Sequence, residues 1–389
     1  MKNLKDQRFV HIVGMYKSGT SWLLHILANH PEIIAWREFD ILRAVYDYRV
    51  RPLSYIRRGL NKVLRLTGLS RRLDSEALAL KQLVPVLKDR EIIIRNIFCG
   101  RGWIPMMGVD KQSEAMNLDY SDPHIFLENL LSIEKLKLQP DNRPKLVPEK
   151  FDNTLSAANT RRSDLEKFVR DVIFIEDLHD VPAVYFNYLI EQVMPQAYIA
   201  LKAADQLICI QELRQITPKS KKIVVVRDGR DVALSALAFT KLMKRWEAPW
   251  TPKESDYFEV LNSWALRVSL LEKEIEKGDL LVIRYEDLTM NFESTCVRLF
   301  KELELSTDLN LIQNIKKNTD FKVVSGGRNP GEKAEHLVRS GVIGEWTSEL
   351  NQKERSKAWK AASYQLSLLG YREDGGFDDW PDFIKIGGL

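Results

Sequence analysis

Between Gly14 and Gly19 the chain reads Gly-Met-Tyr-Lys-Ser-Gly, preceded by the apolar run Phe9 to Val13 and followed by Thr20, Ser21, Trp22 and a helical pattern. A strand, a glycine-bracketed turn and a helix start allow successive backbone amides to converge on one anion, so Ser18, Gly19, Thr20 and Ser21 are suited to a phosphate group. The usual nucleoside-triphosphate loop is G-x-x-x-x-G-K-[ST]. Here Thr20 stands where that lysine belongs, and the cation, Lys17, lies inside the loop. That placement puts positive charge over the outer end of the anion, where it can neutralise a leaving oxygen. The hydroxyl that would bind magnesium also loses its lysine neighbour, so no metal is demanded.

Two further segments place cations beside a helix start or a pair of glycines. The run Lys222 to Val226 reads as a buried strand ending at Arg227, and Asp228 suits the first turn of a following helix. Arg227 thus stands at the C-terminal end of a strand, where open parallel sheets bind ligands. Ser235 is eight residues on, about two helical turns, so both can face one phosphate. Downstream, Arg339-Ser340-Gly341-Val342-Ile343-Gly344-Glu345-Trp346 combines a bidentate donor with glycines that permit close backbone approach to an anion. Taken singly, these segments also read as a strand-helix junction and a surface turn.

Together they resemble the PAPS-dependent sulfotransferases, enzymes that use 3'-phosphoadenosine 5'-phosphosulfate. Lys17-Ser18-Gly19-Thr20-Ser21-Trp22 is similar to that family's 5'-phosphosulfate loop, usually Lys-Ser-Gly-Thr-Thr-Trp, and Arg227 and Ser235 keep the spacing of its 3'-phosphate arginine and serine. The Arg339 segment resembles its Arg-Lys-Gly-x-x-Gly-Asp-Trp, departing at Ser340, which puts one phosphate contact in doubt, and at Glu345, a mild change. Tyr285-Glu286-Asp287-Leu288 looks like the family's Tyr-Glu-Asp-Leu, whose tyrosine reaches the adenine, and Thr319-Asp320-Phe321 looks like its Thr-Ser-Phe segment. The resemblance implies a 5'-phosphate held by the Gly19 to Ser21 amides and the Thr20 and Ser21 hydroxyls. It places Arg227, Ser235 and Arg339, with the Ser340–Gly341 turn, at the 3'-phosphate, and stacks Trp22 and Phe321 on the base.

The acceptor base is less determined. His30-Pro31-Glu32 through Arg37-Glu38 resembles the "HP…E" segment of carbohydrate-type sulfotransferases, which implies Glu38 as base, whereas the small-molecule branch uses histidine, for which His124 and His179 are available. Lys202, at the end of the apolar run Tyr198 to Leu201, resembles the lysine of the carbohydrate branch's Asp-Lys-Thr/Ser-Pro element, although Ala203 and Ala204 replace its later residues. A lysine in that position is otherwise an ordinary solvated strand end.

The elements that must position these residues follow from pattern. Phe9 to Val13, Ile33 to Trp36, Tyr198 to Leu201, Lys222 to Val226 and Leu280 to Tyr285 read as strands, several covered on both faces. Thr20 to Asn29, Val232 to Leu242, Tyr257 to Lys277 and Phe292 to Glu302 read as helices. Alternation of the two implies an α/β fold with a parallel β-sheet flanked by helices, a P-loop NTPase-like sulfotransferase core. The expectation is a single domain over 1–389, with 41–197 a large, mostly helical insertion that shapes the acceptor site.

The 389 residues are 44% hydrophobic and 29% charged, which excludes a disordered tail or a membrane-embedded bundle. The net charge of +4 is too small for a dedicated nucleic-acid binder. Three scattered cysteines, Cys99, Cys209 and Cys296, give no disulfide framework. With no signal-like leader or apolar span, a cytoplasmic location is expected. From Arg43 to Arg72, however, nine basic residues face one acid, Asp47, and the apolar spacing suggests a basic amphipathic helix. It is read as a solvated face, a guide for an acidic acceptor, or a peripheral membrane contact.

The functional expectation is sulfuryl transfer from PAPS, without a metal, to a hydroxyl of a carbohydrate, a glycolipid or a small hydroxylated metabolite. A P-loop nucleotide kinase or triphosphatase, and a non-catalytic membrane-associated nucleotide-binding protein, are the rival readings.

Overall fold

The computed structural model describes residues 9–36, 40–50, 83–99, 125, 128–129, 154–155, 162–193, 197–245, 256–333 and 339–380. The chain forms two compact units: Met1–Val13, Ser21–Tyr48 and Pro85–Lys222 make the first, and Gly14–Thr20, Arg49–Val84 and Ile223–Leu389 the second.

The first unit is built on parallel strands. β1 (Phe9–Gly14) is buried throughout, as its lack of polar alternation requires, and leads into α1 (Thr20–Ala28) and β2 (Ile33–Trp36). Next along the chain come α2 (Ile41–Val45), β3 (Tyr46–Val50), β4 (Leu83–Leu87), α3 (Arg90–Cys99) and β5 (Thr154–Leu155), of which β3 and β4 each belong partly to the second unit. The unit continues through α4 (Arg162–Ile173), α5 (Val181–Gln192), β6 (Tyr198–Lys202) and α6 (Ile210–Ile216). Its strands lie in the order β5-β2-β6-β1. β6 fills the place between β1 and β2, pairing Ile12 with Lys202 on one side and Trp36 with Leu201 on the other. Consequently β1, β2 and β6 all end at one edge, the edge at which parallel sheets take ligands.

Helices cover this sheet for sequence reasons. In α4 the apolar residues Phe168, Val169, Val172 and Ile173 recur at helical spacing and are buried. They meet α5, with Phe168 and Tyr188 ring centroids 4.9 Å apart. α5 tolerates Pro182 because it sits in the first turn, and Phe186 of that helix packs edge-on to Phe9 at 5.3 Å.

The second unit begins its long run with most of β7 (Lys221–Val226), whose neighbour β8 (Leu280–Arg284) follows the helical pair α7 (Gly229–Arg245) and α8 (Tyr257–Ile275). Then come α9 (Tyr285–Met290), α10 (Phe292–Glu302), α11 (Leu309–Thr319), α12 (Phe321–Val324), α13 (Trp346–Glu349) and α14 (Gln352–Leu368). Asp256 caps α8 by accepting the Phe258 and Glu259 amides at 2.7 and 3.0 Å. The apolar face of α8, including Val260, Trp264, Val268 and Leu271, is buried. α14 starts with an Asn351/Glu354 capping box and reaches α8 through a buried bond from Gln365 Nε2 to Ser269 Oγ of 2.9 Å.

The expected strands and helices appear within a few residues of their anticipated ends. Strand Leu280 to Tyr285 stops one residue early, because Tyr285 opens a helix. In the middle block, β3 and β4 pair as a separate two-stranded sheet that the helical reading did not anticipate. Asp40 caps the short α2 through the Arg43 amide at 3.1 Å, and the β-branched and aromatic residues after it favour extension. The basic stretch beyond 50 and the prolines at 140, 144 and 148 lie outside the described residues.

Candidate functional site

The loop Gly14–Thr20 belongs to the second unit. Its turn is closed by Ser18, whose amide and hydroxyl both donate to the Met15 carbonyl, at 3.2 and 2.6 Å. Lys17 and Gly19 then adopt φ of 70° and 103°. Left-handed backbone at a lysine costs roughly 1–2 kcal/mol, and such strain concentrates where backbone amides are aimed at a ligand. Gly19 has a second constraint: a Cβ there would lie 2.6 Å from Tyr285 Cδ2. The first turn of α1 contains no acid that would compete for its unbonded amides.

Lys17 is half-buried, with Nζ 4.9 Å over the Phe239 ring. Burial, and then the guanidiniums of Arg227 and Arg339, lower its ammonium from the usual 10.5 to about 8. Three cations therefore share one field inside the second unit, an arrangement that a polyanion would relieve.

Arg227 stands where β7 ends. Its Nη2 donates to the Val342 carbonyl at 2.9 Å and lies 3.6 Å from Asp231 Oδ2, while the guanidinium covers the Tyr285 ring at 4.4 Å. Arg227 Nε is buried with no hydrogen-bond partner. A buried charged donor left unbonded is costly, and an anionic oxygen would satisfy it. Asp231 takes the Gly344 amide at 2.7 Å and the Trp346 amide at 3.0 Å, so α7 holds the loop that carries Arg339. Within that loop Glu345 Oε2 accepts Arg339 Nη1 at 2.6 Å and Ser340 Oγ at 2.8 Å. Lys333 Nζ lies 3.6 Å from Glu345 Oε1. Gly341, at φ 69°, leaves room for Phe321, which a Cβ there would strike. Ser235 is buried on α7.

The second unit thus gathers Lys17, Ser18, Gly19, Thr20, Arg227, Ser235, Tyr285, Phe321, Arg339, Ser340 and Gly341. In the first unit Lys202, 5% exposed, donates from Nζ to Ser21 Oγ at 3.0 Å, and Trp22 is half-buried on α1. His179 is exposed, with Nδ1 3.1 Å from the Tyr46 hydroxyl. Glu38 and His124 lie outside the described residues. Sequence reasoning missed Asp231, Phe239, Glu286 and Tyr371. Asp231 had a signal in its helical i,i+4 spacing from Arg227, and Glu286 stood in the Tyr285–Leu288 motif without a role.

Parallel strands flanked by helices, with a glycine-bracketed loop and arginines at a strand end and a glycine turn, define an α/β protein. The sulfotransferase domain model matches residues 148–370, and the chain belongs to that family. The match starts well after the Gly14–Thr20 loop. No curated protein matches the chain. Among solved structures, the chain is similar to the sulfotransferase domain from the curacin biosynthetic pathway, at 15% identity and a TM-score of 0.44, covering 93% of this chain and 98% of that one. It is also similar to retinol dehydratase in complex with androsterone and the inactive cofactor PAP, at 13% identity and a TM-score of 0.40, covering 94% and 82% of the two chains. A Mycobacterium avium sulfotransferase aligns at 11% identity and a TM-score of 0.40, covering 94% and 77%. Family membership rests on the domain match rather than on these alignments.

Proposed function

We propose that the chain transfers a sulfuryl group from PAPS to an acceptor hydroxyl. The observation that carries this reading is the convergence of Lys17, Arg227 and Arg339, where burial and then the two guanidiniums bring Lys17 down to about 8, beside a buried Arg227 Nε without a partner. In the reaction the acceptor oxygen bonds to sulfur in line as the bond from sulfur to the bridging phosphate oxygen breaks. The acceptor proton passes to a base, and the leaving phosphate gains negative charge. Lys17 neutralises that charge. The amides of Gly19 to Ser21 hold the 5'-phosphate, and Arg227, Ser235 and Arg339 take the 3'-phosphate. Tyr285, Trp22 and Phe321 serve the adenine. No step needs a metal.

Glu38 is the proposed base, in keeping with its resemblance to the carbohydrate branch, and Lys202 is proposed to assist at the reacting group. His179 is the described alternative, its Nδ1 already engaged by Tyr46. Residues 41–197 are proposed to select the acceptor, a carbohydrate, glycolipid or small hydroxylated metabolite, within a single functional domain over 1–389. Among the described residues no helix is long and apolar enough to cross a membrane. Peripheral contact through 43–72 is proposed from its basic composition, and loss of liposome binding on neutralising those residues tests it.

The decisive experiment is incubation with labelled PAPS across an acceptor panel. Labelled product from the parent chain, formed roughly a hundredfold or more slowly by Lys17→Ala, supports the reading. Preferential thermal stabilisation by ATP with magnesium over adenosine 3',5'-bisphosphate would favour a kinase or triphosphatase instead.

A further inference from the structure

Glu286 belongs to none of the roles just assigned, yet it is fully buried and bonded through both oxygens. Oε1 accepts the backbone N–H of Asp228 at 3.2 Å, and Oε2 accepts the Tyr371 hydroxyl at 2.8 Å. Asp228 directly follows Arg227 and bends back on α7, its Oδ1 accepting the Arg230 amide at 2.9 Å. The amide pinned by Glu286 is therefore the joint from which Arg227 departs. Desolvating a carboxyl is expensive unless its acceptor sites are filled, and here they are filled by the two groups that connect Arg227 to Tyr371.

Tyr371 lies in the segment 371–380, just beyond the end of the family match at 370. Buried arginines and an indole fasten that segment. Arg230 donates to the Arg372 carbonyl at 2.8 Å and the Glu373 carbonyl at 3.2 Å. Arg284 donates to the Asp378 carbonyl at 2.9 Å and its guanidinium lies 4.2 Å from the Trp380 ring centroid. Trp380 Nε1 in turn donates to Asp287 Oδ2 at 2.7 Å. The segment is thus tied at once to the start of α7 and to the Tyr285–Asp287 turn.

We propose that Glu286 and Tyr371 are positioning residues for Arg227, and that segment 371–380 is through them part of the nucleotide site. The hydroxyl of Tyr371 orients the Glu286 carboxyl, the carboxyl fixes the Asp228 amide, and the fixed junction aims the guanidinium at a 3'-phosphate. This rests on the proposed reading of Arg227 as the 3'-phosphate ligand. A displacement of about 1 Å in such a planar fork is enough to forfeit much of its binding.

The test compares the affinities of adenosine 3',5'-bisphosphate and adenosine 5'-monophosphate, by calorimetry on the full chain, for the parent, Tyr371→Phe, Glu286→Ala and Glu286→Gln. The parent should prefer the bisphosphate. Tyr371→Phe and Glu286→Ala should reduce that preference about tenfold, with monophosphate affinity preserved. Glu286→Gln keeps an acceptor for the Asp228 amide and a partner for the Tyr371 oxygen, so it should retain the preference. Equal weakening of both nucleotides, or an unchanged preference in Tyr371→Phe and Glu286→Ala, overturns the relay. A parent without bisphosphate preference instead overturns the reading of Arg227 itself, and the relay with it.

Discussion

The two compact units use their cations in opposite ways. In the second, Arg227 is held by the Val342 carbonyl and Asp231, Arg339 by Glu345, and the half-buried Lys17 shares their field. In the first, Lys202 donates to the neutral, exposed hydroxyl of Ser21, and His179 rests exposed against Tyr46. The difference teaches what a polyanion site requires. If these cations take the two phosphate groups as proposed, their restraint in the fold leaves little reorganisation for when the ligand arrives. Lys202 is buried as well, but it meets a neutral hydroxyl.

The contrast breaks most visibly at Lys17. If the second unit supplies the charge that stabilises the leaving phosphate, Lys17→Ala should lower kcat roughly a hundredfold to a thousandfold, with a smaller change in nucleotide affinity. Single-turnover measurement with labelled PAPS separates the two. Arg227→Ala should come next, weakening adenosine 3',5'-bisphosphate by about a hundredfold. Arg227→Lys should recover little, because an ammonium can replace neither the bond from Nη2 to Val342 nor the planar contact with Tyr285. Full recovery by lysine would show that charge alone suffices there and that the network around Arg227 is incidental.

What was readable in the sequence follows the same division. Gly14, Lys17, Gly19, Arg227, Ser235, Arg339 and Gly341 could be found because they stand in short motifs of fixed residue type and spacing: only glycine fits beside Tyr285 at position 19. The strands were legible because burial on both faces leaves continuous apolar runs, as in β1 and β6. The supports of the site were not. Glu286 and Tyr371 meet across 85 positions, and Asp231 reaches Gly344 across 113, separations at which no local pattern survives. Glu345 illustrates the point: a conservative replacement by sequence, it gathers both Arg339 and Ser340 through one oxygen. The cluster of His11 with Thr217 was equally invisible, though burial and the nearby Lys222 bring His11 down to about 3.

A gentler probe of the comparison is pH. Lys17 in the free chain loses its proton near pH 8, whereas a bound phosphate favours the charged ammonium and moves that value back up. The complex therefore holds more protons than the free protein above pH 8. Through Lys17, affinity for adenosine 3',5'-bisphosphate should be level below pH 8 and fall by up to about tenfold per unit above it, until the bound-state value is reached. Titration calorimetry from pH 6.5 to 9.5 should show this fall in the parent and lose it in Lys17→Met. A parent curve that is level to pH 9.5 would mean that burial and the neighbouring guanidiniums do not lower Lys17 in the free chain.

The smallest effect is expected in the first unit. Lys202 donates to Ser21 Oγ, and removing a charged donor from a neutral, exposed hydroxyl changes little in the binding of an anion held by other cations. Lys202→Met should leave the affinity for adenosine 3',5'-bisphosphate within about threefold of the parent, and any loss should fall on sulfuryl transfer to the acceptor. The ratio of the two losses, read from calorimetry and turnover on the same preparation, measures how far the units divide their labour. If Lys202→Met weakened the nucleotide as much as Arg227→Ala, the restraint seen around Arg227 would no longer distinguish a phosphate ligand from a lysine at a strand end, and the proposed division between nucleotide-binding cations and Lys202 would fail.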